Sequence, residues 1–354
     1  MALITRVYRV DPLNPDERAL SECSEIVLKG GIVVFPTETV YGLGASAYDS
    51  RSVRKIFVAK GRPLDNPLIV HIAKIEQLKQ VASEIPKEVW KLIEKVWPGP
   101  LTVVLKKSDR IVPEVTAGLE TVAVRMPAHP VALRLIELST PIAAPSANLS
   151  GRPSPTSEHH VLLDMFGRVD ALILAGDTFL GVESTIISFV HDPPMLLRPG
   201  PLPVEKIVEI LGIELKIPEF ARGFGAADRA LAPGTKYRHY APRTKLVLVE
   251  SRDVEKMVEE IVRLAEKYLA EGFKVAIIAT RETMDRYRDL SVRLLCIGSR
   301  NNLYEVAKNL FKTLRELDRL GVDLALVESF EERGIGLAIM NRLRKAASEI
   351  VEVP

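Results

Sequence analysis

Residues 30–67 read GGIVVFPTETVYGLGASAYDSRSVRKIFVAKGRPLDNP and carry the strongest fold signal in the chain. A short β-branched and apolar run over 32–35 follows two glycines and ends at a proline, which predicts a buried strand. The segment YGLG follows as a glycine-rich turn, whose glycines would let the backbone approach a ligand closely. Asp49 or Ser50 then caps a helix that ends at Gly61. The stretch predicts a strand, a turn and a helix of an α/β fold.

Polar side chains occur at three points of this stretch. Thr39 follows the strand, Lys60 and Arg62 flank the glycine that ends the helix, and Asn66 lies in a loop bounded by two prolines. These elements bring the four side chains to where they could surround one small anionic ligand. A lysine and an arginine at a helix C-terminus also complement the helix dipole, and from these residues alone that explanation stays open.

Length and composition predict a globular protein of two domains. The chain has 354 residues, 47% of them hydrophobic and 27% charged. A formal net charge of +2 does not predict a global field for nucleic acid. Two cysteines, Cys23 and Cys296, suit a reducing cytosol and give neither a disulfide framework nor a zinc site. Since no apolar run reaches membrane-spanning length, we expect a cytoplasmic protein without a membrane partner.

Three further strands of the first half carry polar side chains in apolar surroundings. His71 lies inside the strand predicted over 68–72, where a buried structural histidine is the plain alternative. Arg125 lies in the strand TVAVRM and must be paired or line a cavity, because an unpaired buried charge is very costly. The strand PIAAPSAN ends with Ser146 and Asn148, which could also form an ordinary turn.

The second half of the chain differs from the first in composition and in its strand and helix pattern. We place a first domain at 1–212, a linker at 213–244 and a second domain at 245–354. Alternating strands and helices after residue 245 predict a parallel, Rossmann-like sheet. No GxGxxG follows its first strand, so NAD binding is not predicted. Arg342 and Arg344 are either surface charges or contacts with the first domain.

Several motifs together resemble one family. PTETVYGLG, KGRP followed by NPL and a histidine, the spaced KxR…SxN set, and the linker pattern PG…KYRHYAP resemble the Sua5/YrdC family, in its long two-domain Sua5 type. The resemblance covers nearly the whole chain. It implies a YrdC-like domain with a twisted mixed α/β sheet and a concave basic site. It also implies a smaller Rossmann-like parallel α/β domain and a linker that covers the active site.

The resemblance implies an L-threonylcarbamoyladenylate synthase. Such an enzyme converts L-threonine, bicarbonate and ATP, with Mg²⁺, to threonylcarbamoyl-AMP and pyrophosphate. The product then passes to a separate tRNA threonylcarbamoyl transferase complex, so tRNA is an indirect partner. The enzyme is a nucleotidyltransferase that needs no serine or cysteine nucleophile.

The resemblance also implies residue roles. It makes Lys60 and Arg62 the catalytic residues, which supply positive charge. Threonine is bound by Thr39, His71, Arg125, Ala144 and Ser184. ATP is bound by Arg62, Asn66, Thr121, Ser146, Asn148, Ser154, Arg198 and Tyr237. No protein ligand of the metal is identified, and Mg²⁺ is expected to be held through the substrate phosphates.

Two other functions remain as alternatives. A carbamoyl-adenylate-forming hydrogenase maturation factor would carry zinc-finger cysteines, and two isolated cysteines argue against it. An RNA-binding protein would use stacking aromatic residues, yet only 6% of the residues are aromatic and no RNA-binding motif is present.

Overall fold

The computed structural model of the protein describes residues 4–225, 230–233 and 240–354. Within them the chain forms one sheet of ten strands and one of five. No helix in this described part is long and apolar enough to cross a membrane.

Short strands and helices alternate up to residue 212. The strands are β1 (Arg6–Arg9), β2 (Val33–Phe35), β3 (Gly42–Ser46), β4 (Ile69–His71), β5 (Leu101–Lys106), β6 (Thr121–Arg125), β7 (Ile142–Ala144), β8 (Ala171–Leu174), β9 (Thr185–Ser188) and β10 (Met195–Arg198). The helices are α1 (Glu17–Leu28), α2 (Ser50–Lys60), α3 (Leu78–Val81), α4 (Lys87–Val96), α5 (Pro113–Thr116), α6 (Pro130–Leu138), α7 (Glu158–Met165) and α8 (Val204–Leu211).

The ten-stranded sheet is mixed, as the family resemblance implies. Its order is β1-β8-β2-β3-β7-β4-β6-β5-β9-β10. The strands β4 and β6 are parallel and pair His71 with Arg125, while β7 runs antiparallel to β4. The two polar side chains predicted in apolar strands therefore lie side by side in the middle of the sheet.

The helix α2 begins and ends where the sequence predicts. The Asp49 side chain accepts a hydrogen bond from the backbone N–H of Arg51, and Gly61 adopts a left-handed conformation with φ of 62°. This C-terminal cap turns the chain sharply after Lys60.

The predicted glycine-rich turn is wrong, because Gly42 and Gly44 belong to β3. A Cβ atom on Gly44 would lie 2.7 Å from the Phe35 ring and would also clash with Ile142. Glycine is required here so that side chains of neighbouring strands can cross β3 at close range. The helices α5, α6 and α7 and the strand β8 were not predicted.

The rest of the chain forms the smaller domain and its connection. The elements are α9 (Glu219–Arg222), β11 (Lys245–Glu250), α10 (Val254–Ala270), β12 (Val275–Thr280), β13 (Arg293–Gly298), α11 (Leu303–Leu317), β14 (Leu324–Glu328), α12 (Gly336–Ala346) and β15 (Glu349–Glu352). All pairs in the order β13-β12-β14-β11-β15 are parallel, which confirms the Rossmann-like prediction. Between β12 and β13 the chain forms only a 3₁₀ turn at Met284–Tyr287, and β15 was not predicted.

Both domains contribute to one buried apolar interface. Val40 and Val182 of the first domain belong to the hydrophobic cluster of α11, α12 and the five-stranded sheet. The backbone of Gly181 approaches that of Lys308 so closely that a Cβ atom would clash. The domains therefore pack as tightly as layers of a single core.

Candidate active site

A cavity lies against β4, β6 and β7. Among its described lining residues, five cations face one carboxylate, Glu183. The cations are Lys60, Arg62, Arg125, Arg152 and Arg198. Since this excess of positive charge is enclosed by protein, the cavity favours an anionic ligand.

Arg125 lies at the end of β6 with only 3% of its surface exposed. Its Nη1 donates to Thr39 Oγ1 at 2.8 Å and its Nε to the Gly99 carbonyl at 3.3 Å. Its Nη2 lies 2.6 Å from Glu38 Oε1, as an ion pair without hydrogen-bond alignment. The prediction that this arginine is paired or lines a cavity is confirmed on both counts.

His71 lies beside Arg125 and lines the same cavity. Burial and then the neighbouring Arg125 charge lower the pKa of His71 to about 3. Its Nδ1 lies 3.1 Å from the Ile69 carbonyl, which can only accept, so the Nδ1–H tautomer of the neutral ring can donate to it. His71 therefore acts as a neutral polar group at neutral pH.

Lys60 is buried at the end of α2. Its Nζ donates to the Ser146 carbonyl and, at 2.5 Å, to the Asn148 carbonyl. Burial and then the nearby Arg62 hold the pKa of Lys60 well below its usual range. The lysine thus joins the two halves of the KxR…SxN set, and an anion bound beside it would favour its charged form.

Arg62 and Asn66 meet in the proline-bounded loop. Arg62 donates through Nε and Nη2 to the Asn66 carbonyl and through Nη2 to the Pro67 carbonyl at 3.1 Å. Arg62 lines the cavity, whereas Asn66 does not. The buried Asn66 Oδ1 has no hydrogen-bond partner among the described residues.

The polar turn after β7 forms another wall. Ser146 Oγ donates to Asn148 Oδ1 at 2.5 Å, and Asn148 Nδ2 donates to the carbonyls of Leu149 and Arg152. Ala144, Ser146 and Asn148 all line the cavity. Because their polar atoms are held by local hydrogen bonds, this turn has a fixed shape.

Ser184 and Arg198 form the wall opposite. Arg198 Nη2 lies 3.2 Å from Ser184 Oγ, and its Nε donates to the Ser184 carbonyl at 3.1 Å. Arg198 Nη1 lies 3.4 Å from the carbonyl of Pro233 in the linker. Pro233 and Tyr240 both line the cavity, so described residues of the predicted linker form part of its wall.

Sequence reasoning missed Glu183 and Tyr240. Glu183 Oε1 accepts from Ser154 Oγ, and Glu183 Oε2 pairs with Arg342 of α12 at 3.0 Å. Tyr240 is buried and stacks on Phe311 with ring centroids 5.2 Å apart. Glu183 is followed by Ser184 and Thr185, and Tyr240 lies in a polar stretch, so neither carried the signal of a charge in an apolar strand that identified Arg125.

Most of the predicted site residues line this one cavity: Thr39, Lys60, Arg62, His71, Arg125, Ala144, Ser146, Asn148, Ser154, Ser184 and Arg198. Thr121 does not line it, because it begins β6 and lies four residues, about 13 Å, from Arg125. Tyr237 lies outside the described residues. The individual roles remain predictions.

The fold and this cavity define an α/β protein with a basic cavity whose wall includes residues between its two domains. A family model described as "Telomere recombination" (Sua5_yciO_yrdC) matches residues 25–200. A second model, "Threonylcarbamoyl-AMP synthase, C-terminal domain" (Sua5_C), matches residues 202–348. The chain belongs to the Sua5/YrdC family and has its long two-domain architecture.

Relatives match over nearly the whole length. A threonylcarbamoyl-AMP synthase of Pyrococcus abyssi is 52% identical, with 91% of this chain and 92% of the relative covered. That of Bacillus subtilis is 44% identical, with 95% of each covered. The structure of P. abyssi Sua5 complexed with L-threonine superposes with a TM-score of 0.92 at 48% identity, covering 99% of this chain and 100% of that chain.

Proposed function

We propose that the protein is a threonylcarbamoyl-AMP synthase that joins L-threonine, bicarbonate and ATP. The observation that carries this function is end-to-end similarity to synthases of that name in an archaeon and a bacterium. The cavity supports it, because eleven predicted contact residues from six or more separate segments line one basic space.

The reaction requires two anions to meet. The threonine amine and bicarbonate combine to an N-carboxylate with loss of water. One carboxylate oxygen then attacks the α-phosphorus of ATP, its bond to the bridging oxygen breaks, and pyrophosphate leaves with that electron pair. Since the nucleophile is already charged, the protein's task is to position both partners and stabilise the phosphate charge.

Arg125 is suited to the threonine carboxylate. A guanidinium offers two parallel donors to a carboxylate, and Arg125 already holds Thr39 in place at the cavity wall. The neutral His71 beside it adds a polar contact without competing positive charge. Ser184 and Ala144 complete this end of the cavity.

Lys60 and Arg62 supply charge for the triphosphate at the other end. Both lie where α2 ends, and Lys60 is anchored to the turn containing Ser146 and Asn148. Ser154 and Arg198 are the further nucleotide contacts that we propose within the cavity. Asn66 and Thr121 do not line the cavity, so they could contact the nucleotide only where it extends beyond the lining residues.

Magnesium would enter with ATP. The described residues contain no group of three or more His, Cys, Asp or Glu side chains that could hold a metal ion. The cavity carboxylate Glu183 is engaged by Ser154 and Arg342. We therefore propose that the phosphates carry Mg²⁺, which would neutralise charge on them.

The product is a mixed anhydride that water destroys. Pro233 and Tyr240 line the cavity, which supports our proposal that the linker covers the site and limits water access during the reaction. We propose that the product passes in the cytoplasm to a threonylcarbamoyl transferase complex acting on tRNA.

Pyrophosphate release tests the function. Purified protein is incubated with ATP, Mg²⁺, bicarbonate and L-threonine, and each component is omitted in turn. We expect release that requires both threonine and bicarbonate, with Arg62→Ala as a matched inactive control. Release that ignores threonine would point to carbamoyl-adenylate chemistry, and no release with salt-sensitive RNA binding would point to an RNA-binding protein.

A further inference from the structure

A charged chain of contacts connects the smaller domain to the cavity. Arg342 of α12 is fully buried, with 0% of its surface exposed. Its Nη2 and Nε donate to Glu183 Oε2 at 3.0 and 3.2 Å, and its Nη1 donates to the Pro199 carbonyl. Arg342 itself does not line the cavity, whereas Glu183 does.

The second oxygen of Glu183 sets the direction of a hydrogen bond inside the cavity. Glu183 Oε1 accepts from Ser154 Oγ, and an ionised carboxylate can only accept. The Ser154 hydroxyl therefore donates its one proton to Glu183, and only its lone pairs are available to a ligand in the cavity. A ligand atom beside Ser154 must then be a donor, such as a ribose hydroxyl or a purine amino group, rather than a phosphate oxygen.

We propose that Arg342 is a positioning residue for the nucleotide, which fixes Glu183 and through it makes the Ser154 hydroxyl a hydrogen-bond acceptor for a donor group of the nucleoside. This rests on the proposed function for the identity of the nucleotide. It gives the C-terminal domain a part in building the catalytic cavity in addition to its packing role.

The surroundings of Glu183 explain why the arginine is needed. Arg342 and Lys345 face it from α12, Arg198 from the end of β10, and Tyr240 from the linker. Burial alone would raise the pKa of Glu183, but Arg342, Arg198 and the Ser154 hydrogen bond hold it below its usual range. Without Arg342, burial is opposed by fewer charges, so the pKa of Glu183 rises.

A protonated Glu183 would reverse the contact with Ser154. It could donate a proton of its own, and the serine would no longer be held as an acceptor. We expect Arg342→Met to weaken ATP binding about fivefold at a pH below the raised pKa of Glu183, the loss expected for one hydrogen bond. Affinity should recover as the pH rises through the raised pKa of Glu183, and Arg342→Lys should restore part of it.

Calorimetric titration with ATP·Mg²⁺ from about pH 6 to about pH 9 measures this directly. Arg344→Met is the matched control, because Arg344 lies on the same helix and pairs with Glu250 and Glu332, away from the cavity. It should lower stability while the pH profile of ATP affinity stays that of the wild type. Glu183→Gln should bind about fivefold more weakly with no added pH dependence.

The double variant Glu183→Gln/Arg342→Met shows whether Glu183 or Lys345 causes the pH dependence. Lys345 must be tested because burial lowers its pKa to about 7. If the pH dependence of Arg342→Met persists in the double variant, Lys345 is its source and the proposal is wrong. It is also wrong if Glu183→Gln binds ATP like the wild type, a result obtainable even if Arg342→Met does not fold. Because binding is measured without turnover, absent pyrophosphate release would refute the proposed function separately.

Discussion

Replacing Arg125 by methionine should raise the threonine requirement and leave the ATP requirement nearly unchanged. A charge-assisted hydrogen bond contributes about 1.5–3 kcal/mol, so losing the guanidinium should raise the KM for threonine roughly 10- to 150-fold. The ATP contacts that we propose lie on other side chains, and we expect the KM for ATP to change less than about threefold.

The same substitution also has a stability cost that must be separated from binding. Arg125 is the ion-pair partner of the buried Glu38 at 2.6 Å. Removing one partner of a buried pair typically destabilises by about 3–5 kcal/mol, since the other charge is left uncompensated. The double variant Glu38→Gln/Arg125→Met removes both charges and should recover part of that loss in denaturant unfolding.

Initial rates of pyrophosphate release, measured against threonine at saturating ATP and against ATP at saturating threonine, give both constants. The double variant should keep the raised KM for threonine although its stability is partly restored. Equal increases in both KM values, or a threonine KM that returns to normal with stability, would refute the assignment of Arg125 to the threonine carboxylate.

Three further outcomes are expected. Arg62→Ala should abolish pyrophosphate release while the fold is retained, because Arg62 lies in a loop and its bonds to the Asn66 and Pro67 carbonyls are local; wild-type turnover would refute its role. His71 and His160 have pKa values lowered to about 3, mainly by burial, against about 6.5 in the unfolded chain. The unfolded state therefore binds more protons between these values, and unfolding free energy should fall as the pH drops from about 6.5 towards about 3, with a smaller slope in His71→Asn. In a thiol assay the exposed Cys296 should react in the native protein, and the buried Cys23, whose pKa is raised by burial to about 12, only after denaturation.

The elements that the sequence predicted best are those whose signals are local. The helix α2 has its cap at Asp49 and its stop at Gly61, and both depend on residues within one turn of the helix ends. The parallel sheet of the smaller domain follows from the alternation of strands and helices. The β3 strand was predicted wrongly because its glycines are required by the side chains of Phe35 and Ile142. Those side chains contact the glycines only after the sheet has formed.

The same distinction holds for the cavity. Lys60, Arg62, Ser146 and Asn148 were found because their spacing forms a motif, and Arg125 because a charge in an apolar strand demands an explanation. Glu183 and Arg342 have polar neighbours in sequence and are 159 residues apart. Neither alone indicates its partner, so their pairing depends on how the two domains dock.

That docking changes how the second domain should be tested. Deleting residues after 212 would expose Val40 and Val182, which pack in the core of the C-terminal domain. The deletion would also leave Glu183 without Arg342 and remove Pro233 and Tyr240 from the cavity. Val40 directly follows Thr39 in the cavity wall, so the repacking would reach the threonine end as well. Loss of activity in a truncated chain would therefore not identify the linker as a lid, and single substitutions that leave this interface intact are the sharper test.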